Sequence, residues 1–485
     1  MLSSRFHGLC RRYASVCLSV LLTSPLLSVP VQAQTAVAAE FAVNELAPQR
    51  ERSSAVARNA GGRTVIVWDD GGTIRARRFD AAGAPLDNGF VIDPAGASPD
   101  VAIAADGSFI VSWVQTGAIS AAVYRRFDAA GLPVEPVFPV LVGAPARRPV
   151  QTAVALDDQG RFAVATVNTE APRGISTGPF LLFPVGAGIV DLLYAPIQVN
   201  VANFDADGRV VNSATLSRAS DLVFYLALQS VVGTAGEGLL PQLGGNVDVT
   251  LDASGDAVVV WDTISGLGTT PLLAASGTNM GWVAGSVQAR RLRRGAALPG
   301  PQVTVDVGRS LLLESFDPGQ IAFAPPAPRP SIAQRPDGRL LVAYALPMQF
   351  ESVPRPFSVD DGRDLQRELR LKTLSPALLP PLLPTVVAAV AEAAAVAVDA
   401  AGNAVVAWEG PRPGPILAQR FDGSLTPLAA PVVAGSRERG GFGLTTAPIG
   451  LGAAADGSFA VSWQRRVPVL FMTLETIRAR FYTVP

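Results

Sequence analysis

Residues 99–131, PDVAIAADGSFIVSWVQTGAISAAVYRRFDAAG, hold three short apolar alternations separated by turn signals. Val101 and Ile103 carry the first, Phe109, Val111 and Trp113 the second, and Ala121, Val123 and Phe127 the third, each with the period of two of a half-buried strand. Asp106-Gly107 and the run DAAG at 128–131 supply the Asx turns and the positive-φ glycine that short antiparallel connections need. The segment therefore reads as a meander and not as a βαβ unit. A meander this small cannot bury its own faces, so it has to be packed between copies of itself.

The copies are in the chain. Aligned on the second strand they are GGRTVIVW ending at Trp68, DGSFIVSW at Trp113, QGRFAVAT at Thr166, SGDAVVVW at Trp261, DGRLLVAY at Tyr344, AGNAVVAW at Trp408 and DGSFAVSW at Trp463. Aligned independently on the third strand they are IRARRFDAAG from Ile74, AAVYRRFDAAG from Ala121, VNVANFDADG from Val199, VQARRLRRG from Val287, ELRLKTL from Glu368, LAQRFDG from Leu417 and IRARFY from Ile477. Both alignments give seven units, interleaved in order. A fourth strand follows the FDAAG turn, as in APLDNGFVID, LPVEPVFPV and RVVNSATL.

Units of this kind fit an all-β, seven-bladed β-propeller of four-stranded antiparallel blades, in which radial packing covers both faces of each blade. The recurring tryptophan is then expected in the interface between blades. No fourth strand follows the seventh unit, whereas EFAVNE at 40–45 has the form of one. The N-terminal strand is thus expected to complete the last blade, with Phe41 and Val43 on its apolar side and its partner at 477–481.

Residues 1–33 carry Arg5, Arg11 and Arg12, an apolar run over 16–29 and the small-residue pattern Val31-Gln32-Ala33, which reads as a secretory signal cut after Ala33. Residues 34–485 then form one domain, secreted or periplasmic, with no membrane span and expected as a monomer. Cys10, Cys17 and His7 are the chain's only cysteines and histidine, and all lie in the leader. The mature chain has no thiolate nucleophile, no histidine base and no histidine-ligated metal. A net charge near zero gives no nucleic-acid footprint. Lys372 is the one lysine, and the abundance of arginine is read as compositional.

The chain resembles the propeller repeats of bacterial secreted and surface proteins, with their DGxFxVxW, IxARxFDAxG and FxVN pattern, and more remotely the NHL-type repeat. The likeness covers nearly all of 40–485. It implies the fold and leaves activity open, since propellers carry hydrolases, lyases, lectins and scaffolds alike.

Departures from the repeat concentrate in units three to five, about 167–367. They lengthen the connection between strands two and three (167–196, 262–286, 345–367) and that between units (218–246, 306–329), and in a meander both emerge on one face of the ring. Loops on a rigid scaffold are where function resides. These are apolar and rich in proline and glycine, and either pack on one another as a lid or form a partner site. The leading reading is a non-enzymatic protein that binds a protein or glycan through this sector, with Phe180, Phe183, Tyr194, Phe224, Tyr225, Trp282 and Phe350 as the aromatic candidates. No cofactor or metal is expected.

The rival reading is a calcium- or carboxylate-dependent hydrolase or lyase, with Asp69, Asp262 and Glu409 converging on the central channel from the positions directly after the repeat aromatic. Set against it is the plainer expectation that these acids, with Asp70, are solvated strand ends. FDADG at 204–208 is read as a turn and not as a calcium loop, because it offers two carboxylates before Arg209.

Overall fold

The computed structural model describes residues 34–484 except 45–50, 144–146, 172, 175–182, 186–187, 231–237, 240–243, 274–277, 313–328, 348–366, 382, 389–390, 392, 411–413, 438–447 and 470–471. Every described element is a strand, every pairing is antiparallel, and none is a helix that could cross a membrane. Unit one is Glu51–Arg58, Thr64–Asp70, Thr73–Phe79 and Phe90–Asp93, paired in that order. Unit two repeats it with Gly96–Ile103, Phe109–Gln115, Ala121–Phe127 and Phe138–Val142. The turns are built as expected. Gly107 and Gly131 hold φ of 92° and 81°, and Asp128 Oδ1 accepts the amides of Ala130 at 2.9 Å and Leu132 at 2.8 Å, an Asx turn that leaves the backbone satisfied. In FDADG, Asp205 does the same for Asp207 and Arg209, while Asp207 pairs with Arg209 at 2.7 Å.

Units five and six keep the four-stranded order, from Ser331–Gln334 to Thr385–Ala388 and from Ala394–Val398 to Val432–Ser436. The last sheet holds Gly450–Ala453, Phe459–Val469 and Met472–Thr483, and its outer edge is taken by the N-terminus. Thr35 and Ala36 pair with Thr483 and Tyr482, Phe41 and Ala42 with Ala479 and Arg478, and the Val43 amide donates to Ile477 O at 2.9 Å. Phe41 stacks on Phe481, with centroids 5.9 Å apart, and tilts against Phe79 at 5.6 Å.

Packing runs between neighbours. Each apolar cluster joins one unit to the next: Val67 and Ile74 to Phe109 and Trp113, Tyr124 to Phe162 and Phe204, Ala165 and Val199 to Val249 and Trp261. The series continues with Val260 to Tyr344, Leu341 to Trp408 and Ala407 to Trp463. A further cluster joins the last unit to the first, with Ile477 and Phe481 against Ile66, Trp68 and Phe79, and Val43 fully buried among them. Innermost strands follow the same order, Glu51–Arg58 lying against Gly96–Ile103 on one side and Gly450–Ala453 on the other. Trp68, Trp113, Trp261 and Trp463 are at most 1 % exposed, so they are core. Trp113 Nε1 donates to Asp93 at 3.2 Å, Trp261 Nε1 to Asp221 at 3.3 Å, and the Tyr344 hydroxyl to Asp306 at 2.8 Å. In each pair the acid lies in or after the outer strand of the preceding unit, so these three aromatics tie units together as well as filling space.

Arginine is not merely compositional. Arg77 donates through Nε to Asp87 O in its own unit at 3.0 Å and through Nη1 to Val43 O, across the seam, at 2.8 Å. Arg290 does likewise with Gly300 O and Leu216 O at 2.6 and 2.7 Å. At the same register Lys372 reaches Val305 O at 2.8 Å and Arg480 reaches Val433 O at 3.1 Å. A forked cation on a long stem satisfies two carbonyls that no strand reaches.

Candidate functional site

Two places in this scaffold could host function. The first is a cavity of ≈ 690 Å³ lined by 52–56, 98–100, 150–153, 244–248, 329–332, 393–396 and 448–451, one stretch from each unit, together with Gln464, Arg466 and Glu475. Its volume falls in the range of small-molecule sites. Asp100 Oδ2 accepts the Val154 amide at 2.8 Å and Asp248 Oδ2 the Ile332 amide at 2.9 Å, each from the innermost strand of the following unit. At the same register Ser331 Oγ accepts from Val396 N at 3.3 Å. The other units carry alanine or glycine there. At Gly450 a Cβ would stand 3.0 Å from the Val56 amide and 2.5 Å from Ser462 Oγ, which leaves room for nothing larger. Burial pushes the Asp100 carboxyl up to about 7, with the charge of Asp248 adding to it, and pushes Asp248 up to about 6.

The acids after the repeat aromatic are not solvated strand ends. Asp262 and Glu409 are fully buried and Asp69 is 7 % exposed. Burial raises the Asp69 and Asp262 carboxyls above their ordinary range. Each carboxylate is engaged locally. Asp69 Oδ1 accepts the Gly72 amide at 2.6 Å; Asp262 accepts from the Asn246 amide, from Asn246 Nδ2 at 3.0 Å and from the Arg329 amide at 3.1 Å; Glu409 faces Arg437 Nε at 3.5 Å. Asp70 pairs with Arg75 at 2.8 Å. Arg329, whose guanidinium lies near both Asp262 and Glu409, is driven down to about 10 by its burial. Asp69 thus closes its own hairpin, Asp262 ties the start of its own unit to the start of the next, and among the described residues no group of three metal-ligating side chains forms.

The second place is the elaborated sector, which is built as sheet. Ala257–Leu273 and Thr278–Leu292 run 17 and 15 residues, against 7 each for the corresponding Thr64–Asp70 and Thr73–Phe79. Gly188–Phe204 continues past its unit to pair with Leu222–Ser230, and Leu222 bridges to Ile264. Units three and four thereby merge into one 12-stranded sheet. At the base of the extension Ala195 and Val223 are fully buried in the core. Immediately beyond, Tyr194 pairs with Phe224, and Leu193 with Tyr225; Trp282 stands opposite Gly268 on one side and Leu311 on the other. Tyr194 is half-buried. Phe183 pairs with Val190 at the sheet margin. Phe180 and Phe350 lie outside the described residues.

No protein-family model matches the sequence, and no curated protein does. Among solved structures, the chain is similar to a protein of unknown function from Dyadobacter fermentans at TM-score 0.46 and 9% identity, over 94% of this chain and 100% of the other. It is similar to an oligogalacturonate lyase in complex with manganese at TM-score 0.42 and 9% identity, over 94% and 98% of the two chains. With the Dos1 propeller the TM-score is 0.34 and the identity 11%, over 91% and 95%.

Proposed function

We propose that the chain, secreted or periplasmic once its leader is cut after Ala33, is a closed seven-bladed β-propeller that acts as a non-enzymatic scaffold, binding a protein or glycan through the extended sheet of blades three to five. Ring closure is supported by the cyclic series of shared clusters, by the cavity to which every unit contributes, and by the N-terminal strand on the last sheet. The observation that carries the functional reading is the continuation of strands from two blades into one sheet that holds the aromatic positions 194, 224, 225 and 282. The extension is rich in apolar residues by sequence, and on a secreted protein that is the composition of an interaction surface. The hydrolase or lyase alternative is less well supported, because Asp69, Asp262 and Glu409 each have a local partner that fixes the scaffold.

The test is to replace 266–284 with an Asn-Gly turn and, separately, to make Phe224→Ala with Trp282→Ala. Pull-down from the native secretome and a glycan array should lose their hits in both variants, while thermal unfolding stays close to that of the parent. Retained hits at parental strength would overturn the reading.

A further inference from the structure

Cleavage after Ala33 would leave Gln34 as the first residue of the mature chain, one position before the strand that docks on the last sheet. Thr35 is already in register with Thr483, and the Thr483 hydroxyl donates to Thr35 O at 3.4 Å. Gln34 is drawn in with it. Both polar atoms of its side-chain amide, Oε1 and Nε2, are buried and have no hydrogen-bond partner among the described residues. A glutamine side chain has an acceptor and two donors to satisfy, and leaving them buried and unpaired disfavours the docked strand. Maturation adds an α-ammonium to the same residue, whose ordinary pKa of roughly 8 keeps it largely protonated at neutral pH.

One reaction removes the ammonium and the amide nitrogen together. We propose that Gln34 is a modification site, converted to pyroglutamate after leader removal. The neutral α-amine of Gln34 attacks the side-chain carbonyl carbon Cδ, a five-membered lactam forms through the new N–Cδ bond, and the Cδ–Nε2 bond breaks with loss of ammonia. No oxidant, reductant or second substrate is needed. The product carries no terminal charge, one ring N–H in place of the amine and amide donors, and one carbonyl. It also blocks aminopeptidases, which would otherwise shorten the closure strand from the end that holds Thr35 and Ala36 on the ring. Blocked termini change the physical state of a chain end in this way generally.

The proposal rests on the reading that the leader is cut after Ala33, and the experiment separates the two. The full chain is expressed with its own leader in a secreting host, and the purified mature protein is analysed by peptide mass spectrometry and by Edman sequencing before and after pyroglutamate aminopeptidase. The expected result is an N-terminal peptide starting at Gln34 and lighter by one ammonia, blocked to Edman chemistry until the aminopeptidase is added. The Gln34→Asn variant, cut at the same bond, should keep a free amine and sequence normally. A wild-type peptide that starts at Gln34 with its amine free overturns the modification and leaves the cleavage reading standing. A peptide that starts at any other residue overturns both. The readout is covalent, so a variant that folds poorly still reports.

Discussion

Unit one and unit four have the same four strands and the same buried tryptophan, yet one is a bare meander and the other the root of a long hairpin. In unit one Asp70 and Thr73 close the second hairpin across two glycines; in unit four the same pairing continues from Asp262–Val287 out to Leu273–Thr278. The inner part of both shares a cation on the third strand reaching a carbonyl across the seam and a small or amide-accepting residue on the innermost strand; the Trp261 indole also donates to Asp221 of the preceding unit, whereas Trp68 fills its seam without such a bond. Beyond Asp262 and Val287 the hairpin of unit four goes on as strand pairing. Stability is therefore assigned to the seams and binding to the extension, and the two should respond separately to mutation.

The largest effect is expected at the last seam. Removing residues 34–44 takes away Val43, fully buried, and Phe41 from its cluster with Phe79 and Phe481, at a cost of roughly 3–5 kcal/mol from apolar burial alone. It also exposes the edge of Met472–Thr483. Calorimetry should show a large fall in Tm, and light scattering should show association. Shortening 266–284 should do neither.

Next come the interface aromatics. Trp113→Ala should cost about 3–5 kcal/mol and leaves Asp93 without its indole donor, whereas Trp282→Ala should change Tm little and weaken partner binding; urea titration of both variants checks the contrast. Equal losses would break the separation of scaffold from surface.

A smaller effect is expected for the seam cation. Arg77→Ala should destabilise by roughly 1–3 kcal/mol, because the Asp87 and Val43 carbonyls lose their donor, and Arg77→Lys should recover only part of it.

The smallest is a pH dependence. Glu51, which accepts the Ile477 amide across the last seam, is pushed up to about 7 by burial, Asp100 to about 7 and Asp248 to about 6. Folded-state pKa values above the unfolded ones mean that the folded chain keeps protons the unfolded chain releases. The stability these groups contribute is full below the ordinary carboxyl range and is lost as pH rises through 6 to 7. Tm should thus decline from pH 5 to pH 8, and Asp248→Asn should flatten the decline.

Much of the repeat's construction is legible in the residues. The DG and DAAG turns mark the strands because only aspartate and glycine meet those backbone demands together, and EFAVNE announces the closure strand because Phe41 and Val43 alternate with Ala42 and Asn44. What escapes is whatever depends on contacts distant in sequence. Asp100 reads as one more strand residue, since its partner amide is 54 positions away. The third-strand arginine hides among many arginines, because its use lies in two backbone carbonyls that carry no sequence signal. The insertions read as loops because proline, glycine and threonine dilute the period of two in ISGLGTTPLLAASGTNMGW, although their backbones pair as strands.

The last seam can be tested on a clean background, because a chain that starts at residue 34 contains neither Cys10 nor Cys17, the sequence's two cysteines. Ala42 and Arg478 are register partners next to the hydrogen-bonded pair Val43–Ile477, and such non-hydrogen-bonded antiparallel positions bring Cα atoms closest, at about 4.5 Å, within disulfide reach. In the double variant Ala42→Cys with Arg478→Cys, mild oxidation should give a monomeric, internally cross-linked chain with a raised Tm that returns to the reduced value on adding a thiol. Free thiols after oxidation, or cross-links between two chains, would contradict closure of the ring by its own N-terminus.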